Sequence, residues 1–287
     1  MQPAPVSAQK LGRVSIMTLC FDTILKTPYT PAPTPEQTLT IFDLPQMYVD
    51  VYGVRNIEYQ HRHLAAPNES TTGPIDGDPA VLKELRARLD AAKVTMTQIN
   101  LEFGTEQSIS GPTAEGRKMA VERTKKWIDH AAMLGCARVM INQQQAQLNR
   151  ANRATAVAAW KEMADYGRTK KVTVSAETRG AGTPELVKEL GMKPWQFLDG
   201  VIKEAGAHSN VDWGNVGAQT QQELHECIKG WMPTSAGSMH IKSSPLWDIG
   251  TGVRYTESIG YKGLYSIEVG THPAVRIVYN TILSNVS

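Results

Sequence analysis

Short apolar runs of four to six residues alternate with longer amphipathic segments, eight times over, from residue 14 to the end of the 287-residue chain. The runs predict strands over 14–19, 56–60, 96–101, 137–141, 172–176, 207–211, 237–241 and 264–267. Between and after them, apolar residues recurring every three to four positions predict helices over 44–52, 79–92, 116–134, 152–169, 194–204, 221–231, 252–259 and 274–283. Strands separated by helices pair in parallel, because a parallel neighbour can be reached only through a crossover connection. Eight such units in this length favour closure into a single (β/α)8 barrel over an open sheet. An open dinucleotide-binding sheet would want a glycine-rich phosphate turn after an early strand, and neither G-x-G-x-x-G nor G-x-x-x-x-G-K-[ST] occurs. The chain reads as one domain over 1–287, with 1–12 a disordered tail.

Charge excludes several classes of partner. Thirty basic and 28 acidic residues leave a formal net charge of +2, and the basic clusters lie within helical patterns, where they read as solvated faces. There is no basic stripe for nucleic acid and no run of about 18 apolar residues for a membrane span. Cys20, Cys136 and Cys227 are sparse, odd in number and widely spaced, which argues against a disulfide framework. The opening stretch has no apolar core, so the chain as written reads as cytoplasmic. Its small, proline-rich character equally suits a periplasmic protein whose signal peptide has been removed.

In a barrel of this kind, function resides at the C-terminal ends of the strands. The last four expected strands each end in a residue able to hold a metal: Glu177, Asp212, His240 and Glu268, spaced 28 to 35 residues apart, one unit each. Three carboxylates converging on one point repel, and without a cation at least one would take up a proton. A divalent ion removes that cost. One imidazole among oxygen ligands suits Mn2+, Mg2+, Co2+, Fe2+ or Zn2+, with Mn2+ or Mg2+ preferred over structural zinc because no sulfur takes part.

The stretches SAETRG, NVDWGN, MHIKSS and YSIEVG, set in this alternation, resemble the xylose isomerase-like barrel superfamily of ketose epimerases, hydroxypyruvate isomerase, inosose dehydratase and endonuclease IV. The resemblance implies one metal ion held by Glu177, Asp212, His240 and Glu268, with Glu177 and Glu268 doubling as the catalytic acid/base pair. It implies a sugar isomerase or epimerase that acts on a small polyhydroxy carbonyl compound through an enediolate. A lyase or dehydratase acting on a keto-sugar, keto-glycoside or keto-inositol is the alternative, and a sugar-binding barrel without catalysis is a third reading. A carbohydrate is the implied partner, with a homo-oligomer by analogy. The chain departs from the ketose epimerases at Asn215, where many carry a histidine, and at Thr178-Arg179, where others carry Asn-His. It lacks the additional histidines of the three-zinc endonuclease.

Further residues on the same rim are candidate substrate ligands. His61 and His63 form a His-x-His that would point to one side if the second strand continued through it. Lys242 would face inward two residues after His240, to bind a substrate oxygen or an enolate. Arg179, Asn215, Glu102 and Asn142 follow strands five, six, three and four. Trp213 and Trp247 offer either an apolar wall for a sugar face or helix packing.

Overall fold

In the computed structural model, which describes residues 6–30, 32–65, 77–103, 108–142, 148–178 and 182–287, all eight expected runs form strands. They are β1 (Val14–Met17), β2 (Asn56–Gln60), β3 (Thr95–Leu101), β4 (Arg138–Ile141), β5 (Thr173–Glu177), β6 (His208–Asp212), β7 (Ser235–Ile241) and β8 (Leu264–Ile267). Every pairing is parallel, and the ladder runs β1-β8-β7-β6-β5-β4-β3-β2 and closes back on β1. Helices connect them: α1 (Leu44–Met47, continued as a π turn over Tyr48–Tyr52), α2 (Pro79–Ala92), α3 (Ala114–Leu134), α4 (Arg153–Lys170), α5 (Pro194–Ala205), α6 (Gln221–Trp231), α7 (Ile249–Ser258) and α8 (His272–Asn285). The protein is a single (β/α)8 barrel. No helix among the described residues is long and apolar enough to cross a membrane.

The helices begin where side chains can satisfy their first amide groups. Asp78 accepts from Ala80 N ahead of α2, Thr113 from Gly116 N ahead of α3, Thr220 from Glu223 N ahead of α6, and Asp248 from Thr251 N ahead of α7. Their apolar stripes, such as Leu82, Leu85 and Leu89 of α2 or Leu224, Cys227, Ile228 and Trp231 of α6, bury against the outer face of the barrel.

Several features depart from expectation. The first strand ends at Met17, and Thr18–Phe21 forms a 3-10 turn, because the Thr18 hydroxyl is engaged by Gln60 N and His63. The proline-rich loop after it holds a small parallel ribbon, Leu25–Lys26 against Leu39–Thr40. A short helix, Pro184–Leu190, capped by Thr183, precedes α5. The segment expected to be a disordered tail contains one helical turn, Ala8–Leu11, capped by Ser7 and tied down by Lys10 Nζ on the Leu283 carbonyl at 3.1 Å.

The inside of the barrel is the least expected part. Barrels of this class usually fill their interior with layers of bulky branched side chains. Here Gln98 of β3 reaches across to Glu58 of β2, Asn210 of β6 and His240 of β7. Glu58, Gln98, Asn100, Ser175, Asn210, Ser238 and Ser266 are all 0% exposed. The apolar residues that alternate with them, including Ile57, Tyr59, Ile99, Val139, Val174, Val211 and Met239, belong to the core shared with the helices.

Gly167 shows tertiary packing overruling helix propensity. Alanine is the better helix former by about 1 kcal/mol, yet a Cβ at Gly167 of α4 would stand 2.4 Å from the Val172 carbonyl oxygen. Backbone cannot yield as a side-chain tip can. Gly167→Ala is therefore expected to lose about 1–3 kcal/mol and to lower the melting temperature by a few degrees. Thermal unfolding followed by circular dichroism checks this, and an unchanged or raised midpoint refutes it.

Candidate metal centre

Parallel strands that end at one level bring their terminal side chains to one rim. Asp212 of β6 pairs in register with His240 of β7, and His240 pairs with Ser266 of β8. Glu177 ends β5, and Glu268 follows β8 directly, its amide bonding the Ile241 carbonyl so that the ladder continues one residue further. The four expected ligand residues converge: one ligand atom from each of Glu177, Asp212, His240 and Glu268 lies within 4.8 Å of all the others. His240 Nδ1 is 3.1 Å from Glu177 Oε1, 3.0 Å from Glu268 Oε2 and 3.8 Å from Asp212 Oδ2. Glu177, Asp212 and His240 are buried, and Glu268 stands partly open to solvent.

The neighbours of these residues fix them in place. Asp212 Oδ1 accepts from the amides of Gly214 and Asn215, and Oδ2 from Asn215 Nδ2 at 2.8 Å. Asn215 thus spends its side-chain nitrogen on Asp212. Lys242 Nζ lies 2.8 Å from both Asp212 Oδ2 and Glu268 Oε1. Its stem runs over Gly214, where a Cβ would come within 2.5 Å of the Lys242 Cδ, so the glycine makes room for the ammonium group. Behind the imidazole, Glu58 Oε1 holds His240 Nε2 at 2.7 Å. Glu58 in turn accepts from Ser266 Oγ and from Gln98 Nε2.

Four carboxylates thus surround two basic groups. Against the penalty of burial, the Glu58 charge and hydrogen bonds to Asp212, Glu177 and Glu268 push the His240 pKa well above the usual imidazole value. Burial likewise opposes ionisation of Glu58, but the His240 charge and hydrogen bond hold its carboxyl below the usual range. Asp212 and Glu268 raise Lys242 in the same way, again against burial.

The donor set fits a divalent ion: three carboxylates and one imidazole nitrogen, with the other ring nitrogen already committed. Glu268 Oε2 supports the fit. It is buried and faces the cluster, with the His240 ring nitrogen, 3.0 Å away, its close neighbour. Such an oxygen gains most from a cation.

The remaining rim candidates separate. His61 and His63 sit in a 3-10 turn, His61–His63, after β2 ends at Gln60. At three residues per turn their side chains diverge, so the shared-face pair expected of a strand does not form. His61 is buried with Nδ1 between the Asn100 carbonyl (3.1 Å) and the Glu102 amide (3.2 Å), its ring edge-on to Phe103 and Trp127. His63 bridges Thr18 Oγ1 and Asp22 Oδ1, at 2.8 Å each. Glu102 and Asn142 meet at the ends of β3 and β4, with Asn142 Nδ2 donating to Glu102 Oε1 at 3.0 Å. Arg179 lies outside the described residues. Trp213 and Trp247 pack edge to face, centroids 5.1 Å apart, Trp213 against Gly252 of α7 and Trp247 against His225 and Tyr255, which is the helix-packing role.

Sequence reasoning missed Glu58, Gln98 and Ser266. Glu58 had a readable sign: a carboxylate flanked by Ile57 and Tyr59 in the middle of a parallel strand has no solvent to face. Gln98 had only its place in the strand next to Glu58, and Ser266 had none, because only closure of the barrel through β1 brings β8 near β2.

A profile of the family described as xylose isomerase-like TIM barrel matches residues 52–276. Among solved structures, the chain is similar to a xylose isomerase-like TIM barrel protein from Mycobacterium smegmatis in complex with magnesium, at 17% identity, covering 98% of this chain and 100% of that one, with a TM-score of 0.63. It is similar to D-psicose 3-epimerase with D-tagatose from Clostridium cellulolyticum, at 13% identity, with coverages of 95% and 96% and a TM-score of 0.66. A third neighbour is 3-keto-D-glucoside 4-epimerase from E. coli, at 12% identity, with coverages of 91% and 97% and a TM-score of 0.64. At these identities the likeness is one of fold. No curated protein sequence matches the chain.

The environment of His61 has a consequence for acid stability. Burial pushes its pKa down to about 4, so the folded protein keeps it neutral where the unfolded chain, near 6.5, takes up a proton. Its contribution to stability is complete above pH 6.5 and is lost as the pH falls from 6.5 to 4, about 3 kcal/mol in all. Urea unfolding between pH 7 and pH 4 should show that loss in the wild type and a smaller one in His61→Gln. Equal losses in the two proteins would rule out the assignment.

Proposed function

Because the chain belongs to the xylose isomerase-like TIM-barrel family, we propose that it is a divalent-metal-dependent isomerase or epimerase of a small polyhydroxy carbonyl compound, a carbohydrate. The observation that carries this reading is the convergence of Glu177, Asp212, His240 and Glu268 within 4.8 Å at the rim. The similarity in fold to epimerases of D-psicose and of a 3-keto-D-glucoside supports the substrate class.

The four residues would hold one ion, with Mn2+ or Mg2+ the best match to three carboxylates and one imidazole. A bound divalent ion polarises a carbonyl and the neighbouring hydroxyl, which acidifies the C–H between them. Glu177 ends β5 and Glu268 follows β8, so in strand order the two glutamates flank Asp212 and His240. One glutamate accepts the carbon-bound proton and the other returns one from the opposite side, which inverts the carbon; return at the neighbouring carbon, with the hydroxyl proton passing between the two substrate oxygens, isomerises the sugar. Lys242, already 2.8 Å from Glu268, supplies a positive charge beside the negative charge that develops on the substrate oxygen. Glu102 and Asn142, hydrogen-bonded to each other at the ends of β3 and β4, are assigned to sugar hydroxyls in this reading.

Two measurements test this. Purified protein should bind about one Mn2+ per chain by calorimetry. Saturation at 100-fold above the dissociation constant should stabilise the fold by about 2.7 kcal/mol. His240→Ala should abolish both effects. In D2O, incubation with a panel of ketoses and 3-keto-glycosides should place deuterium next to the carbonyl of recovered sugar, and Glu177→Gln should slow this exchange by about 10²- to 10⁴-fold. Absence of both metal uptake and exchange sinks the proposal, whereas a product lighter by water or an aglycone would replace isomerisation with elimination.

A further inference from the structure

Glu58 is 0% exposed, deep in the barrel beneath the rim, and none of the chemistry above uses it. A buried carboxylate is costly, and an apolar side chain of similar volume would commonly serve stability as well or better. Its contacts indicate what offsets the cost. Ser266 Oγ and Gln98 Nε2 donate to it, and its Oε1 is 2.7 Å from His240 Nε2. The three partners come from β8, β3 and β7, so the carboxylate is held from three directions across the barrel interior.

As a metal ligand the imidazole is neutral, with one N–H and one lone pair, and the hydrogen bond made by one nitrogen decides the state of the other. Glu58 can only accept from His240, which fixes the proton on Nε2. The lone pair is then left on Nδ1, the nitrogen that faces Glu177, Asp212 and Glu268. Turning the ring over would place carbon against Glu58 and forfeit the 2.7 Å bond, so the ring plane is fixed as well.

We propose that Glu58 is the positioning residue of the metal centre, setting the tautomer and ring orientation of His240 from behind while Ser266 and Gln98 hold Glu58 itself. This role rests on the metal-binding reading above, and it assigns the buried polar interior of β2, β3 and β8 to the centre as its supporting layer. Outer carboxylates of this kind are worth about 10- to 100-fold in metal affinity.

The test uses the full chain and Mn2+ alone, with no substrate. Titration calorimetry and the electron paramagnetic resonance spectrum of bound Mn2+ are recorded for wild type, Glu58→Gln and Glu58→Met, with the metal-free melting temperature as a check on the fold. The expected result is a dissociation constant raised by about 10- to 100-fold in Glu58→Met, and raised less in Glu58→Gln, whose carbonyl can still accept from Nε2. The bound-Mn2+ spectrum of each should be altered, while the metal-free protein still melts cooperatively. A merely structural Glu58 would move the melting temperature and leave affinity and spectrum as in wild type; that outcome overturns the proposal. Should neither variant fold, Ser266→Ala takes their place, with a several-fold weaker affinity expected and an unchanged one overturning the role. Wild-type protein that takes up no Mn2+ would remove the metal reading and this role together. Wild-type uptake with unaltered variants removes this role alone.

Discussion

Closure of the parallel barrel forces the ends of β5, β6, β7 and β8 around a single point, and the acidic side chains placed there cannot move apart. Two like charges about 4 Å apart repel by about 4 kcal/mol even at an effective dielectric of 20, so the cluster must be neutralised by something other than solvent. His240 and Lys242 supply positive charge, and their raised pKa values measure how strongly the carboxylates demand it. Against four carboxylates, counting Glu58 with the three at the rim, two basic groups still leave two negative charges in excess. A divalent ion would supply the missing charge, and the surrounding hydrogen bonds keep the four residues turned toward one point.

That organisation explains the polar interior. A barrel with an apolar lumen would pack well, but it would leave His240 Nε2 with no acceptor and Asp212 and Glu177 resting on hydrocarbon. Replacing one layer with Glu58, Gln98, Asn100, Asn210 and Ser266 gives the centre a hydrogen-bonded floor. Above it, the Gly214-Asn215 turn clasps Asp212 through two backbone amides and one side-chain amide. Stability then rests on the outer, apolar core between strands and helices, while the inner layer serves the site.

Much of this was legible in advance because each clue was local. The ends of α2 and α6 follow from Asp78-Pro79 and Thr220, and β2 and β8 are bounded by polar or glycine-containing turns that the chain states outright. The quartet was legible because strand period and unit length together place one residue per strand at the rim. The His61/His63 pairing failed for a physical reason: whether β2 continued past Gln60 depended on the Thr18 hydroxyl, a residue 42 positions away, which accepts the Gln60 amide. The 3-10 turn at Thr18–Phe21 and the ribbon between Leu25 and Thr40 depend on similar long-range bonds.

Periodicity and capping chemistry, which act over a few residues, set the number, type and approximate limits of the strands and helices, and hence the barrel and the four residues at its mouth. Which way His240 turns, what stands behind it, and that Lys242 bridges Asp212 and Glu268 were settled only by tertiary structure. Those contacts join β7 to β2, to the end of β6 and to the residue after β8, across as many as 182 residues of chain. No local pattern encodes a hydrogen bond between groups that meet only when the last strand pairs with the first.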